Sequence, residues 1–306
     1  MELKKQNVGV VCGCGIKGIE KTAKGFTFHT KGGDFYATKC IMATGGKTLK
    51  KSGSDGSGFL YLESLGHHII DLVPGLIGLK GKQSFFADIA GIRADVKVDL
   101  YIESTHACSE RGELQLTNYG ISGIPVFQLS RVATRALSEQ KKVYATLNFV
   151  PFWEKEQCLT YFKERFKKAD EKHIGEALIG FFPEKLIPVL LEESHIKAAK
   201  YANRLQTEEL ERFIDTVQGL RVDITDWNTF DTAQVTAGGV DTDEIDAETM
   251  ESKLCPGLYF AGEMVDIDGI CGGYNLQWAW SSGAVAGIHV ACLLYTSPSP
   301  RDMRRS

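Results

Sequence analysis

The sequence predicts an α/β protein in which a domain of sheet and helix is interrupted by a long insertion. Three observations lead there. Gly257 to Gly287 begins with a short apolar strand closed by a glycine turn, and a second diglycine then opens a long uncharged helix. First-turn amides of such a helix are free to meet an anion. Small residues at Ala279, Gly283, Ala286 and Gly287 recur at helical spacing, so this helix is expected to approach a sheet closely and to be buried nearly all round. A core helix after a glycine loop is the plainer alternative, and it leaves much of the pattern unexplained. The second observation is a run of short strands ending on Thr44-Gly45-Gly46, and the third is a change of character between about Leu76 and Phe230.

Taken in order, Val8 to Val11, Ile16 to Lys21, Gly25 to Thr30 and Phe35 to Ala43 read as successive strands of a meander. Gly13-Cys-Gly15-Ile-Lys-Gly18 fits a dinucleotide fingerprint by spelling. It is rejected, because Phe26-Thr-Phe28-His-Thr30 alternates as a strand where a supporting helix is required. Ser57 to Gly66 reads as a short helix, and His67 to Val73 as a strand stopped by Pro74-Gly75, with His67 and His68 at a loop or strand edge. Gly91 to Glu103 and Lys142 to Val150 alternate like half-exposed strands. Glu154 to Phe182, Glu184 to Ala202 and Thr207 to Val217 carry Leu, Glu, Lys and Phe at helical spacing, with Pro183 as a break. The chain returns through Val222 to Trp227 and Ala233 to Val240 to the glycine-rich terminal segment.

Specific motifs add a family. Glu263 to Gly269, followed by Gly272-Gly273-Tyr274-Asn275-Leu276-Gln277-Trp278-Ala279-Trp280-Ser281-Ser282-Gly283, resembles the aminoacetone-oxidase-like and bile-acid-reductase-like NAD(P)/FAD-dependent oxidoreductases. Cys40 to Gly46, with Lys47 and the Gly53 to Gly58 loop, is similar to their strand and Ala-Thr-Gly-Gly turn, and Leu116 to Gly123 to their middle-domain motif. The resemblance implies an FAD/NAD(P)-binding Rossmann-like domain over 1–75 and 231–291, interrupted over 76–230 by a β-barrel-like and helical insertion that holds substrate. It also implies that about one βαβ unit, roughly a quarter of the protein, precedes Met1, so the chain is expected to be an N-terminally truncated fragment. At the other end, Cys292 to Asp302 resembles translated sequencing adapter, and 292–306 is expected to be a non-native tail; a natural Ser/Pro-rich tail is the alternative.

The same resemblance assigns roles. Thr44, Gly45 and Gly46 lie by the dinucleotide, where backbone comes close to ligand. Gly262 and Glu263 stand where many related flavoproteins place Gly-Asp against the ribitol or pyrophosphate. Gly272, Gly273, Tyr274, Asn275 and Leu276 open the last helix, whose positive end suits the charge on reduced flavin. Gly238-Gly239 is similar to a loop over the isoalloxazine, and a hairpin turn between strands is an equal alternative. FAD is the expected cofactor, with NAD(P)H or dioxygen as redox partner and a small organic molecule as substrate. A non-catalytic flavin-binding or partner-binding protein is the alternative from another class.

No catalytic side chain is assigned, since a flavin performs hydride chemistry itself and needs one proton donor at most. Asn118 and Tyr119 are candidates to face substrate, while Cys271, lacking a Cys-x-x-Cys partner, is expected to be structural. With 43% hydrophobic and 24% charged residues, the 306-residue chain has the means to bury a sizeable core in two or three domains. Its net charge of −4 and scattered basic residues point away from a nucleic-acid surface. Dispersed cysteines suggest reduced thiols in a cytoplasmic protein, and the histidines show no metal spacing. No membrane role is expected.

Overall fold

The computed structural model describes residues 2–292, so the expected tail lies outside the described residues apart from Cys292, the last residue of the terminal helix. In chain order the elements are α1 (Glu2–Lys5), β1 (Ile16–Thr22), β2 (Gly25–Thr30), β3 (Gly33–Ala37), β4 (Cys40–Met42), α2 (Ser57–Ser64) and β5 (Ile69–Gly75). They continue with β6 (Leu79–Gly81), α3 (Phe86–Ile89), β7 (Arg93–Ile102), β8 (Thr105–Thr117), β9 (Gly120–Gly123), α4 (Ile124–Ser138) and β10 (Val143–Asn148). The remainder is α5 (Lys155–Lys167), α6 (Ile174–Leu178), α7 (Leu186–Glu193), α8 (Thr207–Gly219), β11 (Leu220–Trp227), β12 (Val235–Val240), β13 (Leu258–Phe260) and α9 (Tyr274–Cys292). Two compact units result: residues up to Leu72 with Thr236–Gly269 and Gly273 onward, and Val73–Val235 with Ile270–Gly272.

The second unit is a closed barrel in the order β10-β11-β6-β9-β8-β7 under a helical cap. Alternation along β7 sends Val96, Val98 and Leu100 inward, where they meet Leu114, Leu116, Ala145, Leu147 and Val222, all at most 1% exposed. Closure leaves no open sheet edge. In the cap, polar residues begin the helices: the backbone N–H of Glu154 donates to Gln157 at 2.9 Å and that of Gln206 to Glu209 at 2.8 Å. These reciprocal caps satisfy amides that have no partner inside a helix. Phe162 lies at the centre of the cap, with ring centroids of Phe181 at 4.9 Å and Phe213 at 5.5 Å. The long helices expected over 154–182 and 184–202 are shorter. Asp170 and His195 take positive φ and break them, because a left-handed residue cannot continue a right-handed helix.

The first unit contains a three-stranded meander β1-β2-β3, a parallel pair β4-β13 and the pair β5-β12. The meander therefore ends at β3. The second half of the strand expected over Phe35 to Ala43 leaves it as β4, aligning Cys40 with Leu258 and Met42 with Phe260. Val8 to Val11 forms no strand; its valines are exposed, and no strand partner lies beside them among the described residues. β5 runs on through Pro74 and Gly75 instead of stopping before them. His67 is buried, not at an edge: Nδ1 lies 2.8 Å from Glu244 Oε2 and Nε2 lies 3.0 Å from Ser252 Oγ. A carboxylate only accepts, so Nδ1 donates to Glu244. This relay pins the excursion between β12 and β13 to the start of β5.

The terminal helix differs most from its expected burial. Among its described side chains only Ser282 and Ala286 are buried, while Tyr274, Leu276, Trp280 and Ile288 are exposed. Within the described residues its neighbours are β4, β13 and the 3₁₀ turn Gly262–Met264, which cover one face.

Candidate functional site

Three stretches of the first unit converge on the end of β4: the Thr44-Gly45-Gly46 turn, Thr236 in β12, and the turn Gly262–Met264 after β13. Parallel pairing of β4 with β13 delivers two of them side by side, since both strands end at the same level. Glu263 then bridges them to the third. Its Oε1 accepts from the Thr236 backbone N–H at 2.6 Å, and its Oε2 from the Gly46 N–H at 3.1 Å. The Thr236 hydroxyl accepts from the Lys47 N–H at 2.7 Å, and Thr44 Oγ1 donates to Met264 Sδ at 2.8 Å. Burial raises the Glu263 carboxyl above the ordinary carboxylate range, although the amides of Thr236 and Gly46 act in the opposite direction. Gly46 has no alternative at this crossing, for a Cβ there would lie 2.3 Å from Thr236 Oγ1 and 2.9 Å from Glu263 Cδ.

Gly238 and Gly239 lie within the buried strand β12, in neither a loop nor a hairpin turn. A Cβ on Gly238 would stand 2.4 Å from the Asp71 carbonyl, and one on Gly239 would stand 2.7 Å from the Met264 carbonyl. Neighbouring backbone on two sides accounts for both glycines. Asp266 strengthens the crossing by accepting from the Gly238 N–H at 2.9 Å.

Past Gly262 the chain is tied to α9 from both ends. Gly262 N–H donates to Ser282 Oγ at 2.9 Å, and its carbonyl accepts from Trp278 Nε1 at 3.0 Å. The loop before α9 closes on Asn275, whose Oδ1 accepts from Gly269 N–H at 2.8 Å while its Nδ2 donates to the Gly269 carbonyl at 2.9 Å. Gly272 and Gly273 both take positive φ, +121° and +93°, and no atom lies within 4 Å of a Cβ built on Gly273. Gly273 is thus open, unlike Gly46, Gly238 and Gly239, and Tyr274 and Leu276 beside it are exposed. Cys271 donates its backbone N–H to Gln128 Oε1 at 3.1 Å, and burial pushes its thiol upward, so it is no thiolate nucleophile at neutral pH. Cys40 is pushed to about 12 by burial. All cysteines with described side chains are free thiols, and no metal-holding cluster exists among the described residues.

The predicted residues Thr44, Gly45, Gly46, Gly262 and Glu263 therefore meet at one place, and Gly273 to Leu276 begin the helix that packs beside it. Thr236, Asp266 and Ser282 carry polar links that sequence reading assigned to none of them. For Thr236 the only signal is its place before Ala-Gly-Gly. Asp266 and Ser282 sit inside recognised motifs without a distinguishing pattern.

Residues 1–289 match the HI0933-like protein Rossmann domain. The chain belongs to that family. A 3-dehydro-bile acid delta(4,6)-reductase of Clostridium scindens is 43% identical over 287 residues, which cover 94% of this chain and 70% of that protein. Two proteins named ribosomal RNA dihydrouridine synthase, from Escherichia coli and Haemophilus influenzae, are 29% and 27% identical. Those matches cover 92% and 87% of this chain, and 68% and 63% of the relatives. The HI0933-like chain is therefore a Rossmann-family α/β protein of an oxidoreductase-like family, as its motifs implied. No helix among the described residues is long and apolar enough to cross a membrane.

Proposed function

We propose that this HI0933-like protein is an FAD-dependent oxidoreductase that reduces a small, conjugated organic substrate, with NADH or NADPH as electron source. The open bend at Gly273 carries this reading. Gly273, at the positive end of a 19-residue helix, has no heavy atom within 4 Å of where a Cβ would stand, and room of that kind at a helix N-terminus suits a flat, electron-accepting ring. FAD, when bound, supplies hydride transfer. The protein's share is to shape the turn at Thr44 to Gly46, to hold Gly262 between Ser282 and Trp278, and to fix the approach to the helix through Asn275.

A small organic substrate is favoured over nucleic acid by the way basic residues on the barrel are spent. Lys80, Arg93, Lys97, Arg111 and Arg221 each pair with an acid of the same surface: Asp226, Glu113, Asp99, Asp95 and Asp223. Such pairing leaves little net positive field for phosphates. The name of the 43% identical relative, a 3-dehydro-bile acid delta(4,6)-reductase, points the same way, to a small organic substrate.

The test is an absorbance titration of the full-length protein with FAD, followed by anaerobic addition of NADH or NADPH and a conjugated steroid enone. Bleaching of the flavin band by the nicotinamide and its recovery on adding the enone are expected; a protein that takes up no flavin sinks the proposal. In the full-length protein Gly273→Val is expected to abolish flavin retention, since a branched residue is strained at this φ. Unchanged flavin content in that variant counts against the placement.

A further inference from the structure

We propose that Glu263 is a positioning residue, holding the Gly46 turn and β12 together through their backbone amides, and not a ligand of the cofactor's ribitol or pyrophosphate. Both of its oxygens are already engaged, Oε1 by Thr236 N–H at 2.6 Å and Oε2 by Gly46 N–H at 3.1 Å. A carboxylate that spans two amides on separate segments orients both. The surroundings are built for the span. Lys47 N–H reaches the Thr236 hydroxyl at 2.7 Å, and Gly46 approaches Thr236 and Glu263 so closely that any Cβ would collide with both.

The extra methylene of glutamate has a physical reason on this reading. Aspartate at the same backbone position is one carbon shorter, and one of the two amides would be left without its acceptor. Burying a carboxylate is costly unless it is hydrogen-bonded, and these amides are the compensation the fold provides. Removing the carboxylate loosens the Thr44 to Gly46 turn from β12, leaving the bond from Lys47 N–H to the Thr236 hydroxyl. It therefore alters the cofactor site at second hand. The consequence for cofactor rests on the flavin reading above, whereas the amide contacts do not.

Hydrogen–deuterium exchange of the protein without added FAD, resolved to the Gly46 and Thr236 amides, tests this in wild type and in Glu263→Ala, Glu263→Asp and Glu263→Gln. In Glu263→Ala both amides are expected to exchange faster by about tenfold or more. Glu263→Asp and Glu263→Gln should each lose protection at one or both amides, because Asp is too short and Gln turns an NH₂ toward one of them. FAD affinity should fall in step with lost protection, and Glu263→Asp should fail to restore it. Unchanged protection of both amides in Glu263→Ala overturns the proposal, as does full FAD affinity in Glu263→Asp. Wild-type protein that protects these amides in a Glu263-dependent way but binds no FAD sustains the positioning role while removing the flavin reading.

Discussion

The barrel-and-cap unit and the unit that carries the glycine turns are stabilised by different means. In the first, Phe162, Phe166, Phe182 and Phe213 interlock around one another, and the barrel interior is filled by Val, Ile and Leu from every strand. Side-chain volume does the holding there. In the second, the core around Met42, Phe59, Leu258, Tyr259 and Phe260 is smaller, and at its edge backbone segments cross so closely that glycine and hydrogen-bonded carboxylates replace bulk. Where backbone segments cross this closely side chains are given up, and tolerance to substitution changes accordingly.

The comparison breaks most readily at the cap. Phe162→Ala removes a fully buried ring and is expected to cost ~3–5 kcal/mol in denaturant unfolding; a loss below 1 kcal/mol would mean that the aromatic cluster is not the cap's main support. In the other unit adding a single methyl is enough. Gly238→Ala, at φ +103° with the Asp71 carbonyl in the way, should cost about 3 kcal/mol. Gly283→Ala sharpens the contrast, because it lies inside α9 with no atom within 4 Å of the new carbon. It should raise the melting temperature, by up to ~1 kcal/mol of helix propensity. A fall instead would reveal that something packs on that face in solution.

The smallest expected effect is on pH dependence, where the two units differ in sign. Lys200 donates to Glu209 at 2.7 Å and holds its carboxyl below the ordinary range. A depressed folded value means stability present above the unfolded pKa and lost as pH falls through the folded one. Glu263 is raised by burial, so its contribution is full below the ordinary glutamate value and is lost as pH rises through the folded one. Thermal unfolding against pH should therefore lose slope on the acid side in Glu209→Gln and on the opposite side in Glu263→Gln. Parallel curves for the two variants would refute the assignment of either environment.

Much of this architecture was legible in local pattern. The alternation of Val96, Val98 and Leu100 announced β7, the pairs Gly45-Gly46 and Gly272-Gly273 announced bends, and Thr207 to Val217 carried the helical spacing of α8. Legibility ended where a feature depended on what lies opposite. Gly238-Gly239 spells a loop or turn as readily as a strand squeezed between two others, and nothing local distinguishes them. His67 is paired with Glu244, 177 residues away, and its burial has no signature in its own neighbourhood. The small residues of α9 suggested burial on all sides, yet small residues permit close packing without requiring it.

By itself the amino-acid order determined the strand and helix periods, the glycine positions at which backbone departs from ordinary φ, and the motifs that mark the family. Those are properties of neighbours along the chain. Tertiary structure alone decided that Glu263 spends both oxygens on Gly46 and Thr236, that two glycines lie inside a strand, and that the bend at Gly273 stays open. The reason is steric and electrostatic: an absent side chain leaves space, and only the packing of distant segments settles whether protein fills it.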